Sequence, residues 1–522
     1  MRKKITVLRT DDKIVVEPTT RRVRALIEQD LTYIEKSFFH GYERKKRLKH
    51  GLPPFEEIEW QCYGEDHKGR LSTSWGFCER IVDLLEKDGY PVEVRWATKG
   101  NQEEAAQRAE TVYKPRWDRI EQLEADGFKF RYKQRKALNL IATFENGRIS
   151  CPPAWGKGTL IMLASVLFPK AKIAVVTDRV DVLQTRLYPE LAMNLPSVGI
   201  VGGGMRRKGR RVMCYTADSL HHCPNDVDFV FVDEGHEACA DKFAESMGKF
   251  SKARIWMFSA TWDMRLDNKD IRAEAMAGKI RLHVPYQKAV EHGMVVPVEV
   301  IWDDVIMDEN PCSGLDGVDK DRAGIWANDY RNKLIAKNSG LYGPEVQELI
   351  TCKTLEHALH LKKILPGHVL VYSGQQLKDR DIRWFRDCGL IDDTWRPMTM
   401  EKRKRLTKRF ERGKLKKAIA TTVWNVGVNF KQLAVVNRAD AGGSPINDTQ
   451  IPGRGARIDD VSGKKKLCAI IHDYKDQFDT GTRMKAERRG KSYDANEWRQ
   501  HHPKKEKRSL LRQLMEWGNP LK

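Results

Sequence analysis

The sequence predicts an α/β protein, with two parallel-sheet domains in tandem behind a small N-terminal α+β module. Short apolar strands alternate with helical segments from about Tyr113 onward, as in a parallel sheet whose crossovers are helices. The alternation runs in two series, joined by residues 262–347. The length of 522 residues suits about three or four domains at roughly 150 residues each.

The module spans residues 1–112. Ile5–Leu8 and Lys13–Val16 read as a hairpin around Asp11-Asp12. A helical pattern runs from about Arg21 to Phe39. Another runs from Gly76 to Lys87, with Phe77, Ile81, Leu84 and Leu85 on one face. Pro91–Trp96 reads as a strand and Thr98–Ala109 as a linker or connecting helix. The first sheet domain, 113–290, has strand-like runs at Lys172–Val176, Asp228–Val232 and Arg254–Phe258. The second, 291–480, has them at Leu349–Cys352, Val369–Tyr372, Lys417–Thr421, Ala434–Val436 and Lys466–Ile471. Residues 481–522 read as a basic appendage whose helical pattern breaks at His501-His502-Pro503.

Composition narrows the function. The 93 Lys and Arg against 72 Asp and Glu leave a net charge of +21, which points to a polyanion such as nucleic acid. No apolar run approaches the length of a membrane span. The opening MRKKITVLRTDDK lacks the apolar core of a signal peptide. Ten cysteines without a CxxC pair argue against a disulfide scaffold and fit a reducing, cytoplasmic setting. His221, His222 and Cys223 with His236 and Cys239 loosely resemble zinc spacing, but His236 belongs to a stronger motif that Cys239 closely follows.

Open α/β sheets bind ligands at the carboxyl ends of their strands. There, Ser150–Thr159 reads SCPPAWGKGT: a strand, a small loop, then Gly156-Lys157 and a helix. Loop amides from Ala154 to Gly158 and a helix N-terminus suit a polyphosphate, and Lys157 suits its β and γ groups. The strict GxxxxGK[ST] pattern fails, because Cys151 holds the first glycine position and Gly158 follows the lysine. The next hydroxyl, on Thr159, has three readings: a Mg²⁺ ligand brought in by an altered turn at Gly158, a bystander while water completes the metal shell, or a helix cap. Downstream, Phe229–His236 reads FVFVDEGH. Asp233 suits Mg²⁺, commonly through water, and Glu234 suits the water that attacks a γ phosphate. Ser259-Ala260-Thr261 closes a third strand. In the second domain, Gln450–Arg457 reads QIPGRGAR. Arg454 and Arg457, three apart, could share a helical face and aim at a phosphate. Ala420–Asn429 reads ATTVWNVGVN, a strand and a turn.

In this order, Lys157, Asp233-Glu234-Gly235-His236, Ser259-Ala260-Thr261, Gly427-Val428-Asn429, then Gln450, Gly453, Arg454 and Arg457 resemble the motifs of superfamily 2 helicases of DEAD/DEAH type. The likeness covers about residues 128–480. It implies two RecA-like domains, ATP and Mg²⁺ held between them, and nucleic acid across their tops. It also implies that Arg131 and Gln134 read the adenine. Leu349–Leu361 resembles the family's fourth motif. A narrower likeness, around Gly69–Tyr90, is to phage UvsW-type helicases, and implies single-stranded, duplex or branched DNA as partner; RNA stays open and no membrane is implied. The alternative reading is a nucleic-acid clamp with a degenerate ATP site, for which Gly158 speaks. Lys402–Lys417 has ten Lys or Arg in sixteen positions, and Arg206–Arg211 and Arg44–Lys49 are also dense. Such runs suit phosphate contacts without sequence preference. Trp155 either packs the loop or covers a base or phosphate.

Overall fold

The structure is a computed structural model. It describes all residues except 1, 40, 263–266, 375–376, 425–427, 429, 444–452, 454, 459–465 and 503–522. The chain forms two compact units, Met1–Pro285 and Tyr286–Lys522. No helix among the described residues is long and apolar enough to cross a membrane.

The first unit begins with β1 (Ile5–Arg9), β2 (Lys13–Glu17), α1 (Arg21–Leu31), β3 (Thr32–Phe38), α2 (Gly41–Lys49), β4 (Phe55–Gln61), β5 (Tyr63–Glu65), β6 (Leu71–Ser74), α3 (Cys78–Lys87), β7 (Val92–Trp96) and α4 (Lys99–Thr111). The sheet order is β5-β6-β2-β1-β7. Alternate residues Ile5, Val7, Ile14 and Val16 face Val23, Ile27 and Leu31 of α1 and Ile81 and Leu85 of α3. The helix expected from Arg21 to Phe39 stops at Leu31. Thr32-Tyr33-Ile34 is β-branched and aromatic, and β3 pairs antiparallel with β4 from Thr32↔Gln61 to Phe38↔Phe55. A cross-strand partner overrides a helical period that no packing supports.

This module is seated on the first sheet domain. Glu35, 5% exposed, pairs with Lys269 at 3.0 Å and Arg272 at 2.9 Å. Arg80 and Arg148 each reach Glu274 at 3.3 Å. Gly76 lies against the backbone of the facing helix, where an added Cβ would come 2.1 Å from Glu274 O and 2.4 Å from Ala275 O. Backbone cannot swing aside as a side-chain tip can. Gly76→Ala should therefore lower stability by about 1–3 kcal/mol, the usual scale of overpacking. Thermal or urea unfolding checks this, and an unchanged midpoint would mean the seam is loose.

The first sheet domain continues with α5 (Trp117–Ala125), α6 (Gln134–Thr143), β8 (Gly147–Ser150), α7 (Lys157–Leu167), β9 (Ile173–Thr177), α8 (Val180–Val182), a π-helical turn (Leu183–Leu187), α9 (Tyr188–Asn194), β10 (Gly199–Gly202), β11 (Met205–Arg207), β12 (Val212–Thr216), β13 (Phe229–Asp233), α10 (Asp241–Met247), β14 (Arg254–Ser259), α11 (Ile271–Ala277) and β15 (Ile280–His283). The order is β11-β10-β12-β9-β13-β14-β8-β15, parallel except for the β10–β11 hairpin. Every residue of β9 and β13 is buried, which is why these strands read as continuous apolar runs.

The second unit holds α12 (Tyr286–Glu291), β16 (Val298–Val305), α13 (Gly317–Asp321), α14 (Asp329–Ser339), β17 (Glu348–Thr351), α15 (Leu355–Ile364), β18 (Val369–Val371), α16 (Asp379–Asp387), α17 (Met400–Glu411), β19 (Lys417–Ala420), β20 (Val435–Arg438), β21 (Ala469–Asp476), α18 (Thr480–Ala495) and β22 (Arg499–His501). Its sheet, β18-β19-β17-β20-β21-β16-β22, is parallel throughout the described residues. The stretch read as an appendage from 481 joins this sheet as far as His501. Arg489 of α18, 1% exposed, bonds Asp473 of β21 at 2.9 Å, and β22 pairs with β16. A basic, polar helix can be a core element when its buried arginine is paired.

Candidate nucleotide site and basic faces

The carboxyl ends of β8, β13 and β14, which are neighbours in the sheet order β13-β14-β8, bring the predicted residues of the first domain together. After β8 the chain makes a tight loop with Ala154 at φ +66° and Gly156 at φ +100°. Gly156 is required twice over, because a Cβ there would also come 2.5 Å from Gln134 Nε2. The segment read as adenine-binding braces this loop: Arg131 Nη1 donates to Ala154 O at 2.7 Å and Gln134 Nε2 to Trp155 O at 3.0 Å. The Trp155 ring is fully buried and its Nε1 donates to Tyr132 O at 2.9 Å. That ring packs the loop and covers neither base nor phosphate.

Lys157 opens α7 with its ammonium 2.8 Å from Asp233 Oδ1 and also bonded to Glu234 Oε1. Burial opposes the charge on Lys157, but the two carboxylates outweigh it and raise the pKa above the ordinary lysine value. Burial alone would raise the pKa of Asp233 too; Lys157 and Arg186 outweigh it and hold Asp233 below the usual carboxylate range. Glu234 sits at φ +53°, a left-handed bend at the strand's end. His236 is fully buried and shares a 2.7 Å hydrogen bond with Ser259 Oγ, while Thr261 N donates to the same oxygen at 3.0 Å. The acidic box and the Ser-Ala-Thr strand end are thus one bonded unit.

Two residues at this site went unseen in the sequence. Arg186, in the π-helical turn, donates to Asp233 Oδ2. Glu190, one turn on, accepts from Thr159 Oγ1 at 3.4 Å. Their i, i+4 spacing on a helix after β9 was the available signal. The altered turn at Gly158, one of the three readings of Thr159, is absent. Gly158 lies inside α7 with no left-handed angle, and the left-handed positions are Ala154 and Gly156. The cap reading of Thr159 also fails, since α7 is capped by Gly156 without a side-chain bond.

In the second unit, Gly453 and Arg457 are described; Gln450, Arg454, Gly427 and Asn429 lie outside the described residues. Arg457 forms an isolated antiparallel bridge with Val295, and its Nη1 donates to Val428 O at 3.3 Å. Arg457 itself thus sits on extended backbone after a turn at Gly455-Ala456, and the helical face expected to carry it together with Arg454 lies partly outside the described residues. The run Lys402–Lys417 forms most of α17, which buries Leu406 and Phe410 and exposes Lys402, Lys404, Arg405, Lys408 and Arg409. Arg206, Arg207, Lys208 and Arg210 are exposed around β11, as are Arg44, Lys46 and Lys49 on α2.

The donor set fits a metal–polyphosphate. A buried lysine at a helix N-terminus offers positive charge and amides, and carboxylates suit a hard divalent cation. Residues 351–459 match the helicase conserved C-terminal domain family. No curated protein matches the sequence. Among solved structures, the chain is similar to S. cerevisiae Dbp5 bound to RNA and ADP BeF3, at 13% identity over 76% of this chain and 95% of that one, with a TM-score of 0.50. UvsW of bacteriophage T4 is 14% identical over 96% and 99% of the two chains, with a TM-score of 0.39. The feature shared with Dbp5 is the fold, tandem RecA-like sheets, here behind a small α+β module.

Proposed function

We propose that this chain, with the fold of a superfamily 2 helicase and a helicase C-terminal family match, is an ATP-dependent DNA helicase or translocase acting on duplex or branched DNA. The observation that carries the reading is the cluster of Lys157, Asp233 and Glu234 at one strand edge, bonded onward through His236 to Ser259.

In this reading Lys157 and the amides that open α7 neutralise the β and γ phosphates. Asp233 holds Mg²⁺ through water, and the ion, when bound, offsets the charge on the phosphate oxygens. Glu234 accepts a proton from the attacking water. Arg131 and Gln134 brace the loop, and Gln134 orders the backbone that cradles phosphate. Gly427, Asn429, Gln450 and Gly453 are assigned to binding the nucleotide, and Arg454 and Arg457 to the charge that develops in the transition state. His236 relays the state of the acidic box to Ser259 and Thr261. ATPase assays with single-stranded, duplex and forked DNA, and with RNA, test the substrate. Strongest stimulation by forked or duplex DNA supports the reading, and stimulation by RNA alone would replace it with an RNA helicase.

The N-terminal module is proposed to read DNA through α2, whose Arg44, Lys46 and Lys49 are exposed. Deleting residues 1–112 is a poor test, because it would strip Phe77 and its neighbours from Ile271 and Ala275. Replacing the three charges by Gln leaves that seam intact. Each cationic side chain withdrawn from a duplex phosphate should flatten the dependence of log affinity on log salt by about 0.9. The triple variant is therefore expected to bind DNA more weakly and with a slope shallower by up to about 3. An unchanged slope would remove α2 from the DNA-binding face.

A further inference from the structure

Glycine at position 158 has no conformational cause, since its backbone angles suit any residue. Its cause is spatial. A Cβ at Gly158 would lie 2.5 Å from Glu190 Oε2 and 2.7 Å from Glu190 Oε1. The Glu190 carboxylate therefore fills the volume beside Lys157 that a serine or threonine side chain would otherwise take. A serine hydroxyl stands about one bond length beyond its Cβ, so an acidic oxygen sits close to where that hydroxyl would be.

The surroundings favour a cation at this place. Glu190 lies near the acidic Asp233 as well as the basic Arg186. Arg186 reaches Asp233 from the turn that precedes α9, so its bonded guanidinium partner is Asp233. Thr159 Oγ1 is turned toward Glu190 Oε1 at 3.4 Å, which leaves it supporting the carboxylate rather than facing a phosphate.

We propose that Glu190 is the metal ligand that replaces the hydroxyl absent at Gly158. Together with Asp233 it holds the divalent cation of the bound nucleotide, and Thr159 orients it. This rests on the ATP-site reading above and changes its chemistry. A neutral hydroxyl tolerates a bare polyphosphate, whereas a second carboxylate repels one and binds it only with its metal. The site thereby selects metal–ATP over free ATP more sharply than a hydroxyl site does.

The test is ATP binding to the full chain by calorimetry, with Mg²⁺ and with EDTA. The ratio of the two dissociation constants measures the coupling to metal. The unaltered chain is expected to bind ATP far more weakly in EDTA. Glu190→Ala and the isosteric Glu190→Gln should shrink that ratio by about 10–100-fold, the scale of losing support at a metal site, partly by improving the affinity for metal-free ATP. Gly158→Ser added to Glu190→Ala restores a hydroxyl and should recover part of the coupling. Melting temperatures identify any variant that fails to fold, and the Gln variant keeps the packing. A ratio unchanged in both Glu190 variants would overturn the metal role of Glu190 while leaving the ATP site standing. Failure of the unaltered chain to bind ATP under either condition would overturn the ATP-site reading, and this one with it.

Discussion

Glu234→Gln is expected to bind ATP about as well as the unaltered chain and to hydrolyse it roughly 10²–10⁴-fold more slowly, the range a positioned general base contributes. The amide keeps the size of the carboxylate and the left-handed bend that carries it. It loses the ability to accept a proton from water. It also removes one of the two anionic partners of Lys157, but Asp233 remains at 2.8 Å. The lysine therefore stays charged and placed for phosphate. Steady-state hydrolysis and nucleotide binding, measured on the same preparation, separate the two effects. Near-normal turnover would exclude Glu234 as the base. A loss confined to affinity would make it a phosphate-site support.

Arg457→Ala and Arg454→Ala should each spare ATP binding and lower turnover by about 10³–10⁵, the scale of an arginine that stabilises a transferring phosphoryl group. Of the two, Arg457 carries a visible structural role as well, through its bridge to Val295 and its bond to Val428 O. Its variant therefore needs a lysine control. Arg457→Lys retains charge without the planar fork and should recover little turnover if the guanidinium contacts phosphate. If Lys restores activity fully, Arg457 acts by charge alone. If the loss tracks melting temperature, it is a structural residue.

The parallel strands were readable because each is buried on both faces and so appears as an uninterrupted apolar run; β9 and β13 are examples. Lys157 and Asp233-Glu234 were readable because a phosphate site needs its lysine just after a loop and its carboxylates at a strand end. What stayed hidden depends on contacts between distant segments. The β3 strand hid inside a helical period, because its partner β4 lies beyond α2. The fate of the segment after 480 turned on a buried pair, Arg489 with Asp473, that composition reads as surface charge. Glu190 was hidden for the same reason. It lies 32 residues beyond Gly158, and only the fold shows that the glycine makes room for it. Trp155, by contrast, was left open between two roles, and a single hydrogen bond to Tyr132 O together with full burial decides it.

If hydrolysis drives movement along nucleic acid, the chain is a motor; otherwise it is a clamp that merely holds its partner. The most direct measurement is displacement of a third strand from a DNA triplex, followed in real time. A translocating motor strips that strand without needing to separate the underlying duplex. Displacement is expected from the unaltered chain with ATP and Mg²⁺, and none with a non-hydrolysable analogue or with Glu234→Gln. Tight DNA binding with no ATP-dependent displacement and no DNA-stimulated hydrolysis would contradict the motor reading and leave the clamp reading in its place.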